Sequence, residues 1–159
     1  MRPRLATLKD LPALLALEAR FPSDRIGRRA FRHLLTRANA EVWVAGSRGR
    51  VAASLVILFR KGARYARLYS IVTDPALRGR GIGSALARLA ERRACARGCD
   101  RIGLEVRARD ARVLRWYRGF DYSERARLPG FYEDGAAAMR MQKILSRDAR
   151  RARPRRKAT

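Results

Sequence analysis

Histidine and cysteine, the residues most often used to bind metals, are nearly missing from this sequence. There is one histidine, His33, and there are two cysteines, Cys95 and Cys99, in 159 residues. A zinc site would need further ligands near the two cysteines, so we expect no metal. We interpret the cysteines as small, partly buried thiols in a reducing compartment and His33 as a residue on a helix surface.

Long hydrophobic runs are also lacking. No stretch of about 18 apolar residues is present, and the N-terminus "MRPRLATLKD" lacks the apolar centre of a signal peptide. We therefore predict a cytoplasmic protein without membrane contact. With 159 residues, 47% of them hydrophobic, the chain is long enough for one domain with a core. We predict a single domain over 1–144 and a basic, disordered tail over 145–159, and we predict no oligomeric state.

Acidic residues are scarce. The sequence has 14 acidic residues against 38 lysines and arginines, which gives a formal net charge of +24. The tail "LSRDARRARPRRKAT" holds only part of this excess, so the folded body is basic as well. Such a charge favours polyanionic partners: a phosphate-rich cofactor, RNA or a ribosome, or an acidic protein. We expect non-specific RNA contact at most from the surface and the tail, and we favour a solvated tail over an RNA-binding arm.

The spacing of apolar residues predicts an α/β fold. An amphipathic helix is predicted over 7–20, with Thr7 as N-cap, Asp10 three residues later and Leu8 in its apolar stripe. Further helices are predicted over 26–36, 83–97 and 111–118, and strands over 2–6, 41–46, 51–60, 66–73, 101–108, 122–127 and 136–143. The strand, loop, helix, strand order around 68–107 makes the middle strands parallel. Ligands of such folds bind at the carboxyl ends of the strands.

A glycine-rich loop lies at that end of the predicted sheet, in the segment "TDPALRGRGIGSAL" (73–86). Gly79, Gly81 and Gly83 alternate just before a helix. Glycine permits left-handed backbone and close approach, so the amides at the helix start converge on an anion. Arg78 and Arg80 favour an anion site over a turn that needs glycine only for its own geometry. The spacing does not match G-x-G-x-x-G, and no G-K-[ST] is present, which argues against dinucleotide and nucleoside-triphosphate folds.

Two further groups are candidates for proton transfer. Glu105 lies on the predicted strand 101–108, on the face opposite Ile102 and Leu104, and we expect it near the mouth of the same cleft as the loop. Tyr117 ends the short helix after that strand. A carboxylate that takes a proton and a phenol that returns one would form an acid/base pair. A salt bridge for Glu105 and a packed core position for Tyr117 are equally compatible with the residues alone.

The motifs resemble those of the GCN5-related N-acetyltransferase (GNAT) superfamily. The segment "RGRGIG" matches the R/Q-x-x-G-x-G/A signature, and "LEVRARDARVLRWY" looks like the corresponding segment of the RimI-like branch, which acetylates protein N-termini, notably that of a ribosomal protein. The resemblance extends from about Leu5 to Lys143. It implies an α/β GNAT fold: a mixed, mostly antiparallel sheet of about seven strands with parallel middle strands, flanked by about four helices.

The resemblance also implies a reaction. Acetyl-CoA would be the acetyl donor, and the acetyl group would pass directly to an amine within a ternary complex, with Glu105 as general base and Tyr117 as general acid. The end of the strand before the loop would pair with the pantetheine arm and offer an amide to the thioester carbonyl. The residues implied in cofactor binding are Ile71, Val72, Thr73, Arg78, Gly79, Arg80, Gly81, Ile82, Gly83, Ser84 and Asp110.

The sequence departs from the family pattern at two positions. Asp110 stands where the family has an asparagine that contacts the cofactor, and an ionised carboxylate cannot donate that hydrogen bond. Asp121 stands on the usual glycine of Y-x-x-x-G-F when no gap is allowed; a two-residue deletion that uses Gly119-Phe120 is the alternative. We prefer the ungapped register because aspartate tolerates left-handed backbone better than most residues.

The acceptor is the least determined part of the prediction. A protein or peptide amine, with an N-terminal α-amine favoured and a ribosomal protein as one candidate, is our first hypothesis. Two alternatives remain. The protein could acetylate a small amine, or it could be a basic RNA- or ribosome-binding protein without catalytic activity. Glu18, Phe21 and Tyr132 are candidates for the acceptor pocket, which the first two helices and the last hairpin would form.

Overall fold

The computed structural model describes residues 2–47 and 49–145. The strands are β1 (Arg4–Leu5), β2 (Ala40–Ser47), β3 (Arg50–Phe59), β4 (Tyr65–Thr73), β5 (Arg101–Arg107), β6 (Ser123–Leu128) and β7 (Ala138–Ile144). The helices are α1 (Leu11–Glu18), α2 (Arg28–Thr36), α3 (Ile82–Ala96) and α4 (Ala111–Arg118). None of the helices within the described ranges is long and apolar enough to span a membrane. Apart from Leu145, the predicted tail lies outside these ranges.

The strands form one mixed sheet in the order β1-β2-β3-β4-β5-β7-β6. β4 and β5 run parallel, and the other neighbours run antiparallel, which confirms the predicted fold class. β3 lies inside the sheet and is apolar on both faces, so its side chains supply two cores. Leu55 and Ile57 pack with α3 and α4, whereas Val56 packs with α1 and α2.

The first predicted helix is shorter than its sequence pattern indicated. Leu8–Asp10 is a 3-10 turn, and the α-helix begins at Leu11. Pro12 is the physical reason, because proline has no backbone N–H to donate one turn back and is tolerated only in the first turn of a helix. Leu8, which we predicted in the apolar stripe, is therefore exposed. The expected contact between Thr7 and Asp10 at the helix start is present, because Thr7 N donates to the Asp10 carboxylate over 2.8 Å.

β4 and β5 pair at one end only. Their parallel register covers three residue pairs, Tyr65 with Arg101, Ala66 with Ile102 and Arg67 with Gly103. A bulge precedes the separation: Leu68 is opposite Ile57 and Ser70 is opposite Val56, so that Tyr69 is the extra residue. Bulges increase strand twist, which turns the rest of β4 away from β5. The result is a gap between the carboxyl halves of the two strands, which we call the strand gap.

The residues predicted to be inert lie as expected. Cys95 is partly buried and Cys99 is buried, and both are free thiols. His33 is exposed on α2. Asp121 has a left-handed backbone with φ 68°, as the ungapped register requires.

Candidate active site

The loop between β4 and α3 is anchored by a buried carboxylate. Asp74 follows β4 directly, and its Oδ1 accepts a hydrogen bond from Ala76 N over 2.9 Å. Arg20, beyond the end of α1, and Arg50, at the start of β3, lie 3.4 and 3.6 Å from the same carboxylate. The sequence indicated Asp74 only as the end of a strand. Its position shows that it fixes the start of the loop against two other elements.

The glycines give the loop its shape. Gly79 and Gly81 have left-handed backbone, with φ of 81° and 76°, and a side chain added at either position would meet no atom within 4 Å. Glycine is thus required by the backbone conformation and not by crowding inside the protein. Gly81 is the N-cap of α3, so the unpaired amides of the first helical turn follow it. This is an arrangement that binds anions.

A cavity of about 740 Å³ extends from this loop along the strand gap to α4. We call it the loop cavity. Phe21 and all the residues predicted to bind the cofactor, except Arg80, line it: Ile71, Val72, Thr73, Arg78, Gly79, Gly81, Ile82, Gly83, Ser84 and Asp110. Phe21, which we expected in the acceptor pocket, lines this cavity together with the residues predicted to bind the cofactor.

Sequence reasoning missed the part of the cavity wall that α4 contributes. Arg112, Val113, Arg115 and Trp116 line the loop cavity beside Tyr117. Helical periodicity carried a signal for Val113 alone, because a residue four positions before Tyr117 shares its side of a helix. The two arginines add positive charge to a cavity that already contains a helix N-terminus.

Tyr117 is buried in an aromatic cluster and still reaches the loop cavity. Its ring makes edge contacts with Trp116 and Tyr122, at centroid distances of 4.8 and 5.5 Å. Burial raises the pKa of the Tyr117 phenol well above its usual value. The group therefore stays protonated at neutral pH, as a proton donor must.

Glu105 lies on the opposite face of the sheet from Tyr117, which differs from the single cleft that we expected. Leu104 belongs to the core under α3 and α4, so its neighbour Glu105 points to the face that carries α1 and α2. There Glu105 lines a second cavity of about 510 Å³. Its carboxylate pairs with Arg67 over 2.9 Å and with Arg140 over 3.3 Å. Since Glu105 is two residues beyond Gly103, the last residue paired with β4, it borders the strand gap that separates the two faces.

The family follows from a sequence comparison. A profile of the acetyltransferase (GNAT) family matches residues 8–122, which include the loop, Glu105 and Tyr117. The chain belongs to the GNAT family. Enzymes of this family use acetyl-CoA as the acetyl donor. A comparison with curated protein sequences finds no match.

Solved structures similar to this GNAT protein include two ribosomal-protein-alanine N-acetyltransferases. The enzyme from Brucella melitensis is 25% identical, with a TM-score of 0.77 over 91% of this chain and 100% of its own. The ribosomal-protein-S18-alanine N-acetyltransferase from Escherichia coli is 24% identical, with a TM-score of 0.78 over 91% and 95%. The NatC complex bound to Gag peptide and CoA is 18% identical, with a TM-score of 0.75 over 92% and 100%.

Asp110 has a structural task in this GNAT protein. It is the N-cap of α4, and its Oδ1 accepts a hydrogen bond from Val113 N over 3.1 Å. A carboxylate is well suited to this position because it is stabilised by the helix N-terminus. Capping is a role that aspartate and asparagine can both fill, and Asp110 also lines the loop cavity.

The other two acceptor candidates of this GNAT protein are not among the residues that line either cavity. Glu18 is buried, and one of its oxygens accepts a hydrogen bond from Ile26 N over 3.2 Å. Its other oxygen has no partner within the described ranges, and burial raises the pKa of the Glu18 carboxyl. Tyr132 lies under the guanidinium of Arg107, 4.3 Å from the ring centre.

Arg107 connects the two loops that we expected to form the acceptor pocket. Its guanidinium pairs with Asp24 over 2.9 Å and with Asp134 over 2.8 Å. Asp24 follows α1 and has left-handed backbone with φ 58°, whereas Asp134 precedes β7. The α1–α2 and β6–β7 loops are therefore held together above Glu105 by residues that the sequence did not identify.

Proposed function

We propose that this protein is an acetyl-CoA-dependent N-acetyltransferase that acetylates a protein or peptide amine, with an N-terminal α-amine favoured, by direct transfer in a ternary complex. The observation that carries the proposal is the loop cavity, which brings the glycine loop, the unpaired end of β4 and the phenol of Tyr117 together. We also propose that residues 1–144 form a single acetyltransferase domain.

The residues present fit the cofactor. The open cradle at Gly79 and Gly81, the amides at the start of α3 and the guanidinium of Arg78 suit a pyrophosphate. Ile71, Val72 and Thr73 pair with β3 on one side only, so the backbone groups on their other side face the strand gap and suit an extended amide-containing arm. When bound, acetyl-CoA supplies an acetyl group activated as a thioester.

The two proposed proton-transfer groups approach the strand gap from opposite faces. Glu105 would remove a proton from the acceptor ammonium, through water, on the α1–α2 face, and Tyr117 would donate a proton to the departing thiolate on the α3–α4 face. An amide at the end of β4 would donate to the thioester carbonyl. The strand gap, where β4 and β5 no longer pair, is the opening through which an amine on one face would meet the thioester on the other.

The neighbouring structures support a protein or peptide acceptor. Two are named for ribosomal-protein alanine acetylation, and a third was solved with a peptide. The formal net charge of +24 adds a physical argument, because a polycation repels cationic small amines such as polyamines.

Binding and activity assays test the proposal. Acetyl-CoA at 100 times its dissociation constant should raise the free energy of unfolding by about 2.7 kcal/mol. Nucleotides and an RNA oligonucleotide are the controls, at an ionic strength of about 0.15 M, because a basic protein attracts any polyanion. If acetyl-CoA stabilises the fold no better than these polyanions, the cofactor assignment is wrong.

The catalytic assignment is tested by Glu105→Gln. We expect the acetylation rate of N-terminal peptides, followed by release of free CoA thiol, to fall roughly 10²–10⁴-fold while acetyl-CoA affinity is kept. Glu124→Gln is the matched control, because Glu124 lies on β6 and lines neither cavity. An unchanged rate in Glu105→Gln removes Glu105 from the mechanism, and faster acetylation of spermidine than of every peptide overturns the acceptor class.

A further inference from the structure

The cavity that contains Glu105 is rich in arginine. It lies on the α1–α2 face of the sheet and has a volume of about 510 Å³. We call it the arginine cavity. The charged and polar groups that matter below are Arg37, Arg60, Tyr65, Arg67, Glu105 and Arg140. They come from four separate parts of the chain, so the fold and not a local run of arginines brings them together.

The charges in this cavity are not balanced. Glu105 is shared by Arg67 and Arg140, through single contacts of 2.9 and 3.3 Å. Neither Arg37 nor Arg60 has a carboxylate within 4.0 Å in the part of the chain that the structure describes, and Arg37 donates instead to the side chain of Asn39. Four arginines therefore line a cavity that has one carboxylate among its lining residues, and two of them contact that carboxylate. Bringing like charges together costs free energy that a bound anion would offset.

The arrangement of the charges indicates which anion fits. A nucleic acid or a free phosphate would bring negative charge against Glu105 as well as against the arginines. A molecule that carries an ammonium group and carboxylates complements both the negative and the positive charges of the cavity. Its ammonium would face Glu105, and its carboxylates would face the guanidinium groups. The N-terminus of an acidic peptide has this composition.

We propose that the arginine cavity selects acceptors whose first residues after the reactive amine are aspartate or glutamate. This inference rests on the proposed function, since it places the amine at Glu105. Spacing along the sheet sets the range of positions. The backbone of Tyr65 is opposite Arg101, four residues before Glu105 on β5 and about 13 Å away at roughly 3.3 Å per residue, and its phenol reaches back over Gly103, two residues before Glu105. An extended peptide covers that distance with about four residues, so the acidic side chains belong at positions 2–4 of the acceptor.

Matched peptide pairs test the selection. Each pair begins with the same residue and carries either Asp and Glu or Asn and Gln at positions 2–4. For the wild-type protein we expect kcat/KM to be about 10-fold higher, or more, for the acidic peptide at an ionic strength of about 0.15 M. Arg60→Glu should abolish this preference and favour a third peptide with lysine at the same positions. Arg92→Glu, an equal charge reversal at an exposed position of α3 on the other face of the sheet, should keep the wild-type preference.

The outcomes separate this inference from the proposed function. Equal acetylation of both peptides of a pair leaves the function standing and overturns the acidic selection. If no peptide is acetylated, fluorescence anisotropy with labelled peptides still decides: tighter binding of the acidic peptide that is lost in Arg60→Glu supports the cavity's preference, and equal binding contradicts it. If Arg60→Glu weakens binding of an RNA oligonucleotide and leaves peptide binding unchanged, the cavity serves a nucleic acid and the proposal is wrong.

Discussion

Replacing Gly83 with leucine should weaken acetyl-CoA binding, whereas alanine, which the family signature accepts at this position, should be tolerated. Gly83 lies in the first turn of α3 and does not have left-handed backbone. An added Cβ would lie 3.6 Å from the indole of Trp116 and 3.7 Å from Thr73 Oγ1, which is ordinary van der Waals contact. Because alanine is a better helix former than glycine, by roughly 0.5–1 kcal/mol in a helix interior, the free energy of unfolding should stay the same or rise slightly.

The longer side chain of Gly83→Leu would continue from this Cβ into the loop cavity. Gly83 lines that cavity between the end of β4 and α4, next to the amides proposed to hold the pyrophosphate. A hydrogen bond to a charged group is worth about 1.5–3 kcal/mol, so losing one through displacement should weaken binding roughly 10–100-fold. Isothermal titration calorimetry with acetyl-CoA measures the affinity, and thermal unfolding without ligand measures the stability.

Gly81→Ala is the contrasting control. Its φ of 76° is unfavourable for alanine, at a cost of roughly 1–2 kcal/mol, although no atom lies within 4 Å of the new Cβ. We therefore expect this variant to unfold at a lower temperature, by about 2–8 °C, whereas Gly83→Ala should not. If Gly83→Leu binds acetyl-CoA as tightly as the wild type, the amides at the start of α3 do not hold the phosphate and the reasoning from loop geometry fails.

Three further substitutions test single side chains. Tyr117→Phe should lower kcat about 10²-fold at every pH from 6 to 9 in a steady-state assay, because burial keeps the phenol protonated over this range. The KM for acetyl-CoA should stay unchanged. An unchanged kcat would argue for another acid. Burial raises the pKa of Glu18, so the wild type loses stability as the pH rises through that pKa. The free energy of unfolding of Glu18→Gln, measured in urea, should therefore increase relative to that of the wild type between pH 4 and pH 8. For Glu41 burial acts in the same direction, but hydrogen bonds from Arg93, Trp43 and Arg97 outweigh it and lower the pKa below 4.5. Glu41→Gln should therefore cost about 1–3 kcal/mol at pH 7, and the cost should shrink as the pH falls below 4.5 through the lowered pKa of Glu41. A cost that does not change down to the acid unfolding of the wild type would contradict the ion-pair account.

Side-chain periodicity predicted most elements and the direction of key residues. The alternation along β5 placed Ile102 and Leu104 in the core and Glu105 on the other face, and the structure confirms both. The resemblance to the family motif, together with the tolerance of aspartate for left-handed backbone, predicted the conformation at Asp121. Strand alternation and backbone conformation depend on residues close together in the chain, so they can be predicted from the sequence.

Contacts between distant residues were not predictable in this way. The partners of Glu105, Arg67 and Arg140, are far from it in sequence and meet it through the registers of three strands. The strand gap likewise depends on a bulge in β4, and the sequence around Tyr69 carries no glycine or proline to mark it. A shift of one residue in any of these registers would turn the side chains to the other face, so pattern alone leaves them undetermined.

The short pairing of β4 with β5 also has a mechanical meaning. The sheet consists of two half-sheets, one formed by β1 to β4 and the other by β5, β7 and β6. Within the described ranges, the strand pairing that joins them covers three residue pairs. An extended molecule bound in the strand gap would act as an additional strand and extend the hydrogen-bonded contact between the two half-sheets. We expect amide hydrogen exchange to slow in β6 when the gap is filled, although β6 lines neither cavity, because stiffness there depends on how firmly the two halves are joined.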